Sequence, residues 1–325
     1  MQNKLKRIFV CLLGLILFKA VIAQSQETNY KSEFGFRSEN DAYLAIGQDK
    51  YYTNGLLVTF RSALNPAKNQ DTSKLVKKIW ALSIAHKMYN ASSGSVVNIS
   101  RVDRPFAAYA YASTSLNYYF KKETVLGAEL QGGILGPSAK GEEGQKFYHE
   151  VFGFYDINGW QFQVKDEIGV NLLLNYQSLL FRNQKRTSDF SLPIEARIGN
   201  TFTGLKAGLL FRTGTLNPLY HSVATNSFVS TYKEAHAKEK ELYFFLKPSL
   251  DVVIYDATIS GGLFRDDKGP VVYDIRPLVF SQEFGLAYAQ KRWTFNFSLI
   301  FKSKELKSAA KAHQYGIIDL YYRFN

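Results

Sequence analysis

The sequence predicts an all-β fold: a transmembrane antiparallel β-barrel of about twelve strands, with a short helix in one extracellular loop. Three observations lead there. Segment after segment alternates apolar and polar residues with a period of two. No stretch after the first residues approaches the ~18 uninterrupted apolar residues of a spanning helix. The chain also opens with the layout of an export signal. A soluble sandwich would alternate too, with its apolar face inward. Length, export and an abundance of aromatics (25 Phe and 21 Tyr, against 8 Pro) favour a barrel whose apolar face meets lipid and whose polar face meets the lumen.

Lys4, Lys6 and Arg7 precede an apolar run from Ile8 to Phe18, and Val21-Ile22-Ala23 supplies small-residue cleavage chemistry. Residues 1–23 are therefore read as a signal peptide and residues 24–325 as one outer-membrane barrel domain, since no linker or composition break divides them. Cys11, the single cysteine, leaves with the signal, so the exported chain can form neither disulfides nor thiolate metal sites. Removing four basic residues lowers the formal net charge from +12 to +8, a balance suited to an anionic surface.

Twelve strands are expected at 30–38, 52–63, 78–89, 106–120, 123–134, 167–182, 190–198, 203–213, 241–257, 277–290, 292–303 and 314–324. In the first, Phe34, Phe36 and Ser38 alternate with Gly35 and Arg37; in the eleventh, Trp293, Phe295, Phe297, Leu299 and Phe301 alternate with Thr294, Asn296, Ser298, Ile300 and Lys302. An even number closes a barrel with both termini in the periplasm. Parity then puts residues 39–51, 90–105 and 135–166 outside, and puts the long connection 214–240 on the periplasmic side, where short turns are usual. Asp251, Glu283, Asp319 and Arg323 are expected as interior charges.

Within residues 135–166, Glu142 to Phe152 reads as a helix, which sets Gln145 and His149 on one face at i and i+4. Parity gathers Asn40, Asp41, Thr53, Arg104 and His149 at the same outer rim. A neutral His149 can take a proton from water, and Asp41 can hold a hard cation, for which calcium is the better match in a chain without thiolates. Such a cation would polarise an ester carbonyl. Asn40, Gln145 and Thr53 can add ligands or hydrogen bonds. Asn40-Asp41 also suits plain turn chemistry. His86 reads as a packed or lumen-facing strand residue; His221, His236 and His313 read as solvated, as do Lys233, Glu234, Lys238, Glu239, Lys240 and Glu241. There is no Gly-x-Ser-x-Gly elbow, no phosphate-binding glycine loop and no His-Glu-x-x-His, and the aromatics do not interleave with basic patches, so nucleic acid is not expected.

Several motifs together resemble the calcium-dependent lipid A 3-O-deacylases of the outer membrane, the LpxR family. They are Glu39-Asn40-Asp41, Tyr52-Thr53-Asn54-Gly55, Asp103-Arg104-Pro105-Phe106-Ala107-Ala108-Tyr109, Gln145 four before His149, Gly159-Trp160-Gln161 and Gly199-Asn200-Thr201. The resemblance implies a twelve-stranded barrel with its site at the extracellular rim of the wall facing the outer leaflet, acting on lipid A of lipopolysaccharide. By position, His149 would be the general base, Asp41 would bind or orient Ca2+, and Asn40, Thr53 and Gln145 would complete the site. A substrate-holding lysine expected between Asn90 and Ser100 is missing, leaving Arg101 and Arg104 as the nearest cations, and Asp156 stands near the place of a family acid. A monomer is expected. The alternatives are an outer-membrane phospholipase and a non-catalytic, porin-like or structural barrel.

Overall fold

The computed structural model describes residues 29–44, 50–64, 74–232 and 237–325; the expected signal peptide, Lys233, Glu234 and His236 lie outside them. Twelve antiparallel strands follow: β1 Ser32–Asn40, β2 Tyr51–Leu64, β3 Leu75–Asn90, β4 Ala107–Phe120, β5 Thr124–Leu135, β6 Glu167–Arg182, β7 Ser188–Gly199, β8 in two segments (Phe202–Gly208 and Leu210–Thr215), β9 Lys240–Asp256, β10 Leu278–Gln290, β11 Trp293–Lys302 and β12 His313–Phe324. β1 pairs with β12 from Ser32↔Phe324 to Asn40↔Gly316, which closes the barrel and puts the first and last strand ends together at what we call the lower end. Helix α1, Gly141–Phe152, begins one residue before the predicted start.

The break in β8 has a cause in its neighbours. Leu209 donates its N–H to the carbonyl of Pro248 on β9 at 3.0 Å, and the adjoining β7 stretch carries Pro193, next to the Ile194↔Ala207 pair. Neither proline has an N–H to return, so the ladder lapses where the two flank one strand.

The alternation sorts as expected. Phe34, Ile168, Val170, Leu172 and Leu320 stand exposed on the outer wall. Inside, Arg61 pairs with Glu33 at 2.7 Å, Arg37 with Asp319 at 2.6 Å, and Arg197 with Asp251. Lys247 pairs with Glu283, and Arg323 donates to the carbonyl of Trp293. All four predicted interior charges are thus engaged. The polar lumen encloses a cavity of about 660 Å³ lined by Arg37, Glu39, Lys87, Lys206, Asp251 and Glu283, among others.

The connection between β8 and β9 is a real excursion that folds back and floors this cavity. Glu241 accepts from Asn217 N, Val223 N and Ser222 Oγ at 2.8–3.1 Å. Lys77 Nζ donates to the carbonyls of Ser227 and Val229, and Tyr119 Oη donates to that of Thr225. Glu241, read from the sequence as solvated, is therefore wholly buried; a carboxylate facing several backbone donors beside Arg212 tolerates burial.

At the upper end three loops lie across the mouth. Tyr51 Oη donates to Asp103 at 2.8 Å and accepts from Lys311 N at 2.9 Å, Ser308 Oγ donates to the Asp103 carbonyl, and Tyr273 Oη donates to that of Val102. Glu305 belongs to this cap. Burial would raise its carboxyl, but Lys302, His313 and Arg104 outweigh burial and hold it down at about 2. His313, expected in solvent, instead begins β12 and is buried with its Nε2 3.7 Å from Glu305. His221 packs against the Phe228 ring, tilted by 47° with centroids 4.6 Å apart.

Candidate active site

Helix α1 lies outside the barrel, against the upper outer face of β3 and β4. Lys87, Tyr89 and Tyr111 line the lumen, so the residues between them, Met88 and Ala110, face out, as does Ala108 across from Met88. Ala108 and Ala110 leave a low shelf. A Cβ at Gly141 would fall 2.5 Å from the Ala108 Cβ and 2.3 Å from the Trp160 ring, which is why the helix can seat only with glycine there. Gly144 packs against Met88 Sδ and the His86 ring, and His86 Nε2 donates to the carbonyl of Ala139 at 2.8 Å. His86 is thus packed beneath the helix approach on the outer wall. Met88, Val96, Val102, Phe106, Ala108, Trp160 and their neighbours form one buried apolar cluster that includes Ala139 just before α1 and Ile157 just after it.

On α1, His149 is 7% exposed and its Nδ1 lies 2.8 Å from the carbonyl oxygen of Tyr155. A carbonyl can only accept, so Nδ1 carries a proton, and in the neutral ring the lone pair is on Nε2. The helix stops just beyond, at Gly153 in the left-handed region, whose N–H returns to the His149 carbonyl. That reversal brings the Tyr155 carbonyl back to the ring. Gln145, one turn earlier, is buried and its Oε1 accepts from Trp160 Nε1 at 2.8 Å, which fixes which end of the amide is NH2. Asp156, next to Tyr155, is exposed.

The other residues come from the tips of β1 and β2. Asn40 faces out, because Arg37 and Glu39 line the lumen. It pairs in register with Asn54, and Asn54 with Met88. Between Tyr52 and Asn54 the register slips. Tyr52 turns inward to donate to Glu39, and Gly55 is inward too, since a Cβ there would meet Tyr52 Oη. Two residues therefore occupy the space of one, and Thr53 and Asn54 both face out, as a bulge permits. Thr53 Oγ1 sits 3.5 Å from the Met88 carbonyl. Asn40 Oδ1 accepts from Ala42 N at 2.6 Å and Asp41 Oδ2 from Lys50 N at 2.8 Å, so the turn reading of this pair also holds.

Asn40, Asp41, Thr53, Gln145 and His149 are thus all buried at the upper end: β2 meets β3 at Met88, α1 packs on Met88 through Gly144, and Asn40 and Asp41 stand one strand further along the wall. Arg101 stands exposed at the end of the short turn Ile99–Arg101. Arg104 goes elsewhere: it is fully buried, its guanidinium lies 4.4 Å over the Tyr89 ring and its Nη2 donates to Thr258 Oγ1 at 2.9 Å. The chain crosses the barrel mouth between Asp103 and Pro105, which turns this side chain to the lumen side, where it braces the cap. Asn54, quoted only as part of the Tyr52-Thr53-Asn54-Gly55 motif and given no role of its own there, stands beside Thr53 on this face. Its signal was the polar pair Thr53-Asn54 inside an otherwise alternating strand. Among the described residues no three His, Cys, Asp or Glu come together as a metal cluster, so any cation here must be held largely by neutral oxygens.

Closed barrel, capped lumen and a helix seated outside the wall define a β-barrel of the outer-membrane type, with buried polar residues at the upper end of its outer face. The family model described as "Outer membrane protein LpxR" matches residues 8–324, and the chain belongs to the LpxR family of outer membrane proteins. It is similar in structure to LpxR from Salmonella typhimurium, with a TM-score of 0.69 and 17% identity over 90% of this chain and 100% of that one. Fainter likenesses include the β domain of the Bordetella autotransporter BrkA (TM-score 0.44, 7% identity, 90% and 99% covered) and the translocator domain of NalP from Neisseria meningitidis (TM-score 0.42, 6% identity, 99% and 98% covered). No curated protein matches the sequence.

Proposed function

We propose that this protein is a hydrolase of lipid A that releases the 3'-linked acyloxyacyl chain in the outer leaflet, with His149 as general base and calcium as cofactor. Family membership supports the substrate class. The hydrogen bond from His149 Nδ1 to the Tyr155 carbonyl is the single observation that carries the chemistry, since it leaves Nε2 as the basic nitrogen.

Nε2 takes a proton from water as the water oxygen attacks the ester carbonyl. The imidazolium then returns the proton to the departing sugar oxygen, so ester and water give a carboxylic acid and an alcohol. Gln145, with its oxygen held by Trp160, presents its amide hydrogens as donors for the charge that develops on the carbonyl oxygen. Asp41, Asn40 and Thr53 are hard oxygen donors of the kind calcium takes, and with a single carboxylate among them the expected affinity is weak, on the order of 10⁻⁴–10⁻³ M. When bound, the ion supplies Lewis acidity toward the ester. Asp41 and Asn40 are held by backbone N–H groups, which limits their reorientation. Arg101, exposed at the end of the Ile99–Arg101 turn, is suited to a substrate phosphate.

Mass spectrometry of lipid A incubated with the detergent-purified protein, in calcium or in chelator, tests the reading. Loss of one acyloxyacyl mass in calcium alone is expected. Cleavage of phospholipid with lipid A left intact would replace lipid A as the substrate.

A further inference from the structure

The bulge in β2 delivers one side chain to the outer wall that the mechanism above does not use. Asn54 is 7% exposed, and its Oδ1 is buried with no hydrogen-bond partner. An unpaired buried acceptor is costly, so its surroundings matter. Asn40, opposite it in register, has its own Oδ1 engaged by Ala42 N. Met88, opposite on the other side, offers only carbon and sulfur. The adjacent Thr53 hydroxyl is directed at the Met88 carbonyl, and the next element carries the Asp41 carboxylate. The region is thus rich in oxygens that accept, and an acceptor placed among acceptors is the composition of a hard-cation site.

We propose that Asn54 Oδ1 is a direct protein ligand of the divalent cation, alongside Asp41. The proposal rests on the calcium reading above and goes beyond it by naming the ligand. It also explains the bulge. Without the extra residue, strand alternation would send either Thr53 or Asn54 into the lumen; with it, both stand on the outer face.

The test is calcium titration by calorimetry of the detergent-purified protein, wild type against Asn54→Ala and Asn54→Asp, with thermal unfolding in chelator as the check on folding. Asn54→Ala should weaken calcium at least tenfold while the unfolding midpoint in chelator stays at the wild-type value. Asn54→Asp, which keeps an oxygen in place and adds charge, should bind as tightly as wild type or tighter. Wild-type affinity in Asn54→Ala, or equal loss in both variants, overturns the ligand role and leaves the calcium reading standing. No binding by wild type overturns both. If Asn54→Ala does not fold, Asn54→Asp decides alone: tighter binding supports the assignment, and unchanged or lost binding overturns it.

Discussion

His149 Nδ1 and the Tyr155 carbonyl oxygen are 2.8 Å apart across the end of helix α1, in a reversal created by Gly153. The contact selects one tautomer and one ring orientation. His149→Ala should lower turnover on lipid A about 10²–10⁴-fold, with little change in the unfolding midpoint because alanine is a strong helix former. A His149→Ala protein that retains wild-type turnover in the mass-spectrometric assay would remove the general base from the mechanism.

Trp160 makes two separable contributions. Its ring packs edge-on against Phe106 at 5.6 Å, and its Nε1 holds Gln145. Trp160→Phe keeps much of the packing and deletes the donor. The expected result is a fall in kcat that exceeds the fall in stability, with Trp160→Ala losing both. Kinetics and thermal unfolding on the same preparations separate the two.

The floor of the lumen predicts an electrical property. Residues 216–232 are anchored by Glu241, Lys77 and Tyr119, so the intact barrel should show no steady ion conductance in a planar bilayer. Replacing residues 218–230 by a short Gly/Ser link should open a channel while the outer wall and its activity persist. Open-channel currents from the intact protein would mean that the floor moves aside.

The cap predicts a pH window. Glu305 is held at about 2, below the ordinary carboxylate range. A carboxyl depressed on folding contributes stability in full above its unfolded pKa and loses it as pH falls toward the folded value. The Glu305 contribution to protease cutting within residues 303–312 should therefore rise between about pH 4.5 and 2. Glu305→Gln should remove that acid-dependent rise and loosen the cap at neutral pH.

Much of the wall was legible because each strand carries its own alternation: no predicted strand end moves by more than three residues. The break at Leu209 was not legible in β8, since its cause lies in Pro193 and Pro248 on two other strands. Glu241 shows the same limit. Within a run of alternating Lys and Glu it reads as solvated, and only the returning loop supplies the N–H groups that bury it. In the site, the i, i+4 relation of Gln145 and His149 was readable locally, and so was the gathering of loops at one end. The side of the wall on which Arg104 lands was not, because it depends on how the loop crosses the mouth. Thr53 and Asn54 required the register slip to be seen.

The seat of α1 on the outside of a sealed cylinder has a kinetic consequence. On the proposed reading the substrate is a lipid already lying in the bilayer that surrounds the wall, so its encounter with His149 is a two-dimensional search. Turnover should follow the surface mole fraction of the target lipid, and added inert lipid should slow it even when the bulk concentration is fixed. Acyl-chain fluidity, more than the viscosity of the surrounding water, then sets the friction of that search.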